Sequence, residues 1–460
     1  MAVIKLNKFS GIQPRLHPAL IEDGMATRAN NCRLKNGQIV PLKQPKRLTD
    51  NIVLIGSLDS ISNAKSIYHW RRGERSEFLA WAGLVKVAQS NLADDERFRI
   101  FVSGDTEVSG GQPVMFAGNT KDNGYVVRPL VKEPMAAPYL TAKAPSDEND
   151  IRYSVWFQTW VDEYGQESPT SEASVEIDYS DGDAVTIGKV VAPTYAVLRR
   201  FYKVIAGSGS ENDGGVDYHI QYVAEQKAVQ GVFLEVTVSV KDEDCGEAIP
   251  DIKSPPDDLR DMQFVSGTFY CGFSPSSPKT VMFSNIDQPY SWPMGYRYDI
   301  RDEIVGLASV KNNVYALTKG YPAVLTGYAP ESMTVTDIAS RQACVSARSI
   351  VAAEGSVFYA SQDGICQINP DTDYQYHVNV LTDKFLTKEQ WSALAPETCL
   401  MEEYDGALFA WFSPQGKKPV ALIFDMKESA AALSTHDEHA TCAFYDCVDD
   451  ALYYVKKVGE

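Results

Sequence analysis

His436, His439, Cys442 and Cys447 fall within one short stretch, "HDEHATCAFYDC". Two imidazoles and two thiols are the donor set of a tetrahedral zinc site. Their spacing works against it: histidines three apart share a direction on a helix but not on a turn, and Cys442 and Cys447 lie in a run patterned as strand. His436, His439 and Cys442 therefore stand as weak metal candidates beside the reading of a plain turn and strand. The acidic turns "DYSDGDA" (Asp178, Asp181, Asp183) and "NPDTD" (Asp371, Asp373) offer the hard oxygens that calcium takes, without EF-hand spacing, and read as solvated turns. No P-loop, G-x-S-x-G elbow or H-E-x-x-H pair is present. Carboxylates are numerous enough to sketch a glycosidase pair, but nothing singles one out. The expectation is a protein that is not an enzyme, with no cofactor and no catalytic residues.

Two tryptophans suggest recognition instead. In "IRYSVWFQTWVDEYGQESPTSEASVEI", Trp156 and Trp160 share one strand face, opposite Tyr153, Val155 and Phe157. That face is a candidate interaction surface for a sugar or another chain, or else it packs against an adjoining domain.

Charge gives a third lead. The chain carries a net −18, yet its first 48 residues hold nine Lys/Arg and two Asp/Glu, which leaves about −25 on the rest. An acidic body repels phosphate, which argues against tight binding of nucleic acid. The basic arm, with Arg15, Arg28, Arg33, Lys35, Lys43, Lys46 and Arg47, is expected to dock on an acidic surface of a neighbouring subunit or partner; the alternative is that it is solvated on its own domain.

The elements that position these residues read as strands. A chain of 460 residues exceeds one ordinary core, and 24 Tyr with 18 Phe lean towards sheet. The start has no signal-peptide core, and no window nears the ~18 apolar residues of a membrane span, so folding in the cytoplasm is expected. Eight scattered cysteines read as mostly buried thiols. Residues 1–50 predict an arm, a short helix from about Met25, and a hairpin of Cys32 to Leu34 with Ile39 to Leu42 about Asn36-Gly37. Residues 51–130 predict a meander. Residues 131–257, between the Pro-rich stretches "VKEPMAAPYLTAKAPSDEND" and "PDIKSPPDD", predict an inserted β-sandwich of immunoglobulin or fibronectin type III kind.

Residues 258–460 repeat. Ser266-Gly267, Asn312-Asn313, Glu354-Gly355, Asp405-Gly406 and Asp449-Asp450 each precede an apolar strand, and their second members, at 267, 313, 355, 406 and 450, differ by 46, 42, 51 and 44. That period predicts β-propeller blades, five here and one from the meander, about six in all, with the sandwich inserted. The longest interval contains "LTKEQWSALAP", a helix capped by Thr387 and Gln390 and stopped at Pro396.

Several stretches also carry a family likeness. "FSGIQPRLHPALIEDGMATRANNCRLKNGQIVPLKQP" resembles the opening of tailed-bacteriophage virion proteins, and "VDEYGQESPTSEAS", "FSNIDQPYSWP", "QACVSARSIVAAEGSVFYASQDG" and "LTKEQW" are similar to segments of the same group. The resemblance implies a short-tail nozzle (hub): a ring subunit, six-fold, around the DNA ejection channel of the virion. Its implied partners are copies of itself, a tail adaptor protein and a tail fibre or tip protein, with double-stranded DNA passing transiently. A collar, tail-tip or fibre-attachment protein is the near alternative. A propeller hydrolase or lyase acting on polysaccharide is the alternative from another class.

Overall fold

The computed structural model describes residues 9–35, 38–48, 51–104, 107–118, 124–206, 218–370, 375–426 and 432–456. The chain is nearly all β and divides into many small sheets. It forms two compact units: unit 1 is Met1–Pro129, Pro256–Asp287 and Gly295–Glu460, and unit 2 is Leu130–Pro255 with Gln288–Met294.

Unit 1 holds, besides the hairpin Cys32–Lys35 with Gln38–Pro41, seven sheets among the described residues. We label them A (52–81), B (85–129), C (260–299), D (304–337), E (351–380), F (400–436) and G (440–456). B to F are four-stranded antiparallel meanders; A has three strands and G two. Each sheet has a leading strand that turns straight back into a second: Ser66–Arg72, Val85–Gln89, Arg260–Val265, Ile304–Val310, Val351–Ala353, Leu400–Tyr404 and Ala440–Asp446.

The turns are those the repeat marks. Glu354 and Gly355 have φ of 49° and 81°, the paired left-handed conformation that tightens a hairpin, and Ser266-Gly267 and Asp405-Gly406 repeat it. In sheet D the turn sits one residue earlier than expected, at Lys311-Asn312. The expected count of six is corrected to seven sheets, because the meander at 64–127 is two. Ser66 Oγ donates to the Gly83 carbonyl and accepts from the Val85 amide, so the chain leaves sheet A there and begins another.

Second strands such as "SVFYA" and "ALFAWF" are buried on both faces, so each sheet is covered by a neighbour on either side. In sheet E, Val357 and Tyr359 pack towards sheet D with Tyr315 and Leu317, while Phe358 and Ala360 pack towards sheet F with Leu408 and Ala410. Equivalent cores join A to B, C to D and F to G. Between B and C, Tyr270 packs edge-on against Phe101, 5.5 Å between centroids, and its hydroxyl donates to the Gln89 carbonyl. Leu58, Ala64, Ala80 and Cys442 then join G back to A, so the series closes on itself. From B through C, D, E, F and G to A the leading strands neighbour one another in turn. The helix Lys388–Ser392 carries the expected capping box of Thr387 and Gln390 and buries Trp391.

The arm is corrected in one respect. No helix forms near Met25; the only helical turn among its described residues is Pro18–Leu20. The backbone is instead occupied in extended pairing with the last strand of sheet F, Gly11 beside Leu433 and Asn30 beside Thr435. Gly11 has φ +88°, and a Cβ there would sit 2.2 Å from the Leu433 carbonyl oxygen, so only glycine allows this approach. The hairpin follows with Lys35 opposite Gln38; the expected Asn36-Gly37 turn lies outside the described residues.

Unit 2 packs two three-stranded sheets, one of Leu140–Ala142, Val185–Ile187 and Val236–Val238, the other of Trp156–Asp162, Ala196–Ala206 and Tyr218–Lys227. Trp156, Val185, Ile187 and Phe201 form the core between them. Trp156–Asp162 is an edge strand whose free groups are met by a non-strand segment. Ser168, Ser171 and Ser174 each donate their backbone amide to the carbonyl of Trp160, Gln158 and Trp156 respectively, and each hydroxyl accepts the amide of that same residue. Three residues of one segment thus serve two of the other.

Candidate functional site on the leading strands

The leading strands of B, C and F bring Lys86, Asp261 and Glu402 into electrostatic reach of one another's neighbourhood, within unit 1. Asp261 sits at a bulge between Arg260 and Gln263, with φ 51°. Its Oδ2 accepts the Leu307 amide at 2.8 Å, and Gln263 bonds the Leu307 carbonyl and the Ser309 amide. These side chains link two leading strands that do not pair through their backbones. Gly306 makes the room, since a Cβ there would lie 2.8 Å from Asp261 Oδ2.

Burial pushes the Glu402 carboxyl up to about 7, with Lys86 pulling down and Glu403 pushing up. Burial also raises Asp261, against Lys86, the Leu307 amide and Arg260. Glu402 keeps some surface open to water although protein surrounds it. Chemically, Glu402 exchanges its proton near neutrality.

Glu402 yields a prediction. A carboxyl raised in the folded state binds more protons there than in the unfolded chain, so its contribution to stability is lost as pH rises from about 4.5 to about 7. Glu402→Gln is expected to flatten that slope and to stabilise the protein at pH 8 by roughly 1–3 kcal/mol. Melting curves of both proteins from pH 4 to 8 check it; parallel curves would refute the assignment.

A second charged group joins sheet G to sheet A. Asp446 Oδ2 lies 2.7 Å from His69 Nδ1 and 2.6 Å from Arg71 Nη2, and Asp449 lies 3.4 and 2.9 Å from the same two atoms. His69 stacks on Phe78 at 4.2 Å, and Tyr453 donates its hydroxyl to Asp449. Burial raises Asp446, but bonds from Arg71 and His69 outweigh it and hold the carboxyl below its ordinary value. Among the described residues, His69, Asp446 and Asp449 are the one set of metal-type donors close enough to share an ion. Arg71 already supplies the positive charge, so the arrangement reads as an ion-pair clasp.

The metal candidates are not brought together. His436 ends the last strand of sheet F, its titration shifted down by burial; His439 Nε2 faces Ser413 Oγ at 3.2 Å; the Cys442 thiol, pushed up to about 12 by burial, packs among Leu58, Ala64 and Ala80. Cys447 is exposed, and six of the eight cysteines are buried.

Trp156 and Trp160 form no interaction surface, which corrects that expectation. They are 3% and 4% exposed, because their face of the strand is the inner one: Trp156 meets Phe201, and Trp160 meets Met135 and Phe233 beneath the Lys132 ammonium.

Part of the arm docks on its own chain. Arg33 pairs with Asp425, Lys35 bonds Asp405, and Arg15 bonds the Phe385 and Asp383 carbonyls. The acidic surface it answers is sheet F, whose turns and strand ends carry these aspartates. Arg28, Lys43, Lys46 and Arg47 are exposed. Asp181 of the expected acidic turns pairs with Arg152, while Asp371 and Asp373 lie outside the described residues.

The sequence matches no protein-family model and no curated protein. Among solved structures it is similar to selenomethionine-substituted virginiamycin B lyase from Staphylococcus aureus, at 10% identity over 71% of this chain and 95% of that one, TM-score 0.23. It is also similar to a putative 6-phosphogluconolactonase from Bacteroides fragilis, at 12% identity over 75% and 95%, TM-score 0.26.

Proposed function

We propose that the chain is a structural subunit of a bacteriophage tail, a nozzle-like ring component of the DNA ejection channel that also attaches the tail tip or fibres. In this reading sheets A to G are seven blades of a β-propeller, and unit 2 is an immunoglobulin- or fibronectin-like insertion. The subunit assembles with copies of itself beneath an adaptor ring, in the virion. The segments that resemble virion proteins lie in both units, and an acidic body suits a conduit past which DNA must slide.

The observation that carries the reading is a set of exposed apolar side chains on two paired segments of unit 2. The paired segments 190–197 and 226–234 expose Val191 (75%), Tyr195 (43%), Val197 (41%), Val229 (51%) and Leu234 (50%). Side chains of this kind, gathered on paired segments, mark surfaces made for other chains.

Light scattering and electron microscopy of the purified full chain, alone and with its adaptor partner, test the proposal. A closed ring is expected, and Val191→Asp with Leu234→Asp should weaken it at least tenfold. Protein that remains monomeric at tens of micromolar with the adaptor present would sink it.

A further inference from the structure

A cavity of about 260 Å³ in unit 1 is lined by Ser62, Lys65, Arg348, Thr398, Trp411, Ser413, His439 and Thr441, among others. Its position follows from the fold. Arg348 precedes the leading strand of sheet E, Thr398 that of F, Thr441 begins that of G, and Lys65 precedes that of A. Four consecutive sheets of the circuit therefore present the same point of their architecture, the entry to the leading strand, to one space.

The lining is unusual for this protein. The chain has 61 Asp and Glu against 43 Lys and Arg, yet no carboxylate lines the cavity, while a guanidinium, an ammonium, an imidazole and several hydroxyls do. Arg348 is held by the Thr441 carbonyl and is paired with no carboxylate among the described residues. Burial shifts its titration down, with the Cys442 and Cys399 thiols as the opposing influences, so the cation is short of a counter-charge. Trp411 donates its indole N–H to the Glu438 carbonyl at 3.2 Å, which fixes one wall. His439 faces the Ser413 hydroxyl and closes another.

We propose that this cavity is an anion site that takes a compact oxyanion, a phosphate group free or as a small monoester, with the Arg348 fork as its main ligand and Lys65 at its rim. A planar guanidinium meets two oxygens of such a group at once, and the Ser62 and Ser413 hydroxyls, whose partners are another hydroxyl and an imidazole, can turn a proton to it, while those of Thr398 and Thr441 donate to the Ala395 and Val455 carbonyls. The volume admits a phosphate or a small phosphate ester, and it is below that of common drug-sized sites. The site is independent of the tail reading and stands or falls apart from it.

The test uses the full-length protein and two probes, inorganic phosphate and glucose 6-phosphate, against chloride at matched ionic strength. Thermal melts and titration calorimetry are expected to show saturable stabilisation by at least one probe. Preference for the ester would identify a phosphorylated small molecule as the source, and equal or better binding of inorganic phosphate would identify the free ion. Arg348→Met should weaken binding at least tenfold, with partial recovery in Arg348→Lys. Because Arg348 also holds Thr441, the exposed Lys65→Met serves as the second variant and should weaken binding several-fold in a protein that melts as the parent does. Absence of saturable binding by either probe would overturn the proposal. So would binding that both variants leave unchanged.

Discussion

Arg33→Ala is expected to destabilise the protein by about 3–5 kcal/mol, because it leaves the Asp425 charge buried and unpaired; Asp425→Ala should cost less, because Asp405 stays 3.7 Å from Arg33 Nη1. The two side chains are 7% and 4% exposed, with Arg33 Nε and Nη2 both within 2.7 Å of Asp425 Oδ1. The second carboxylate oxygen accepts the Leu34 amide, so the pair also anchors the arm's backbone. Urea unfolding of each variant, followed by tryptophan fluorescence, measures the loss, and a change below ~1 kcal/mol would refute it. Arg33→Met with Asp425→Leu should recover most of the stability, as apolar replacements of buried pairs do. Deleting residues 1–48 removes Ile12, Cys32 and Leu34 from buried positions as well, so the truncated chain is expected to aggregate instead of folding.

Asp446→Ala should cost about 3 kcal/mol, since Asp446 is 2% exposed in its side chain and holds both His69 and Arg71. The circuit closes where the C-terminal sheet meets sheet A, so the variant loosens that junction first, and hydrogen exchange should rise in 66–81 and 440–456 before it rises elsewhere. The carboxyl is depressed in the folded state, so its stabilisation is complete above the ordinary carboxylate range and lost as pH falls through the lowered value. Asp446→Ala should therefore be the less acid-sensitive of the two proteins relative to its own stability at pH 7. Equal acid sensitivity would remove the clasp from the account.

Much of the architecture is legible in the residues. The turn pairs before "SVFYA" and "ALFAWF" fix hairpins locally, because left-handed φ is a property of the few residues in the turn. The helix at Thr387 is legible for the same reason. The seventh sheet was hidden, because Gly83 marks a change of sheet only through its bond with Ser66, and no local pattern separates that from an ordinary turn. The arm's contacts within the chain were hidden for a related reason: seven net positive charges in the first 48 residues announce an acidic target, but only tertiary structure brings Asp405 and Asp425 of the same chain to Arg33. Glu402 and Arg348 escaped notice altogether. Each is one charged residue in an unremarkable segment, and its importance comes from what surrounds it in space. The pairing of His69 and Arg71, two apart on one strand, with the acidic run after Tyr445 is the one signal open to a sequence search for ion pairs.

The serine segment of unit 2 has a stride of three against the strand's stride of two, at Ser168, Ser171 and Ser174. Such a vernier is indifferent to what stands between its marks but not to their number. Glu172 and Ala173 can change without disturbing it, whereas one inserted or deleted residue between 168 and 174 would throw every later hydroxyl out of phase with its amide. Length, more than composition, is what this stretch of the chain must keep.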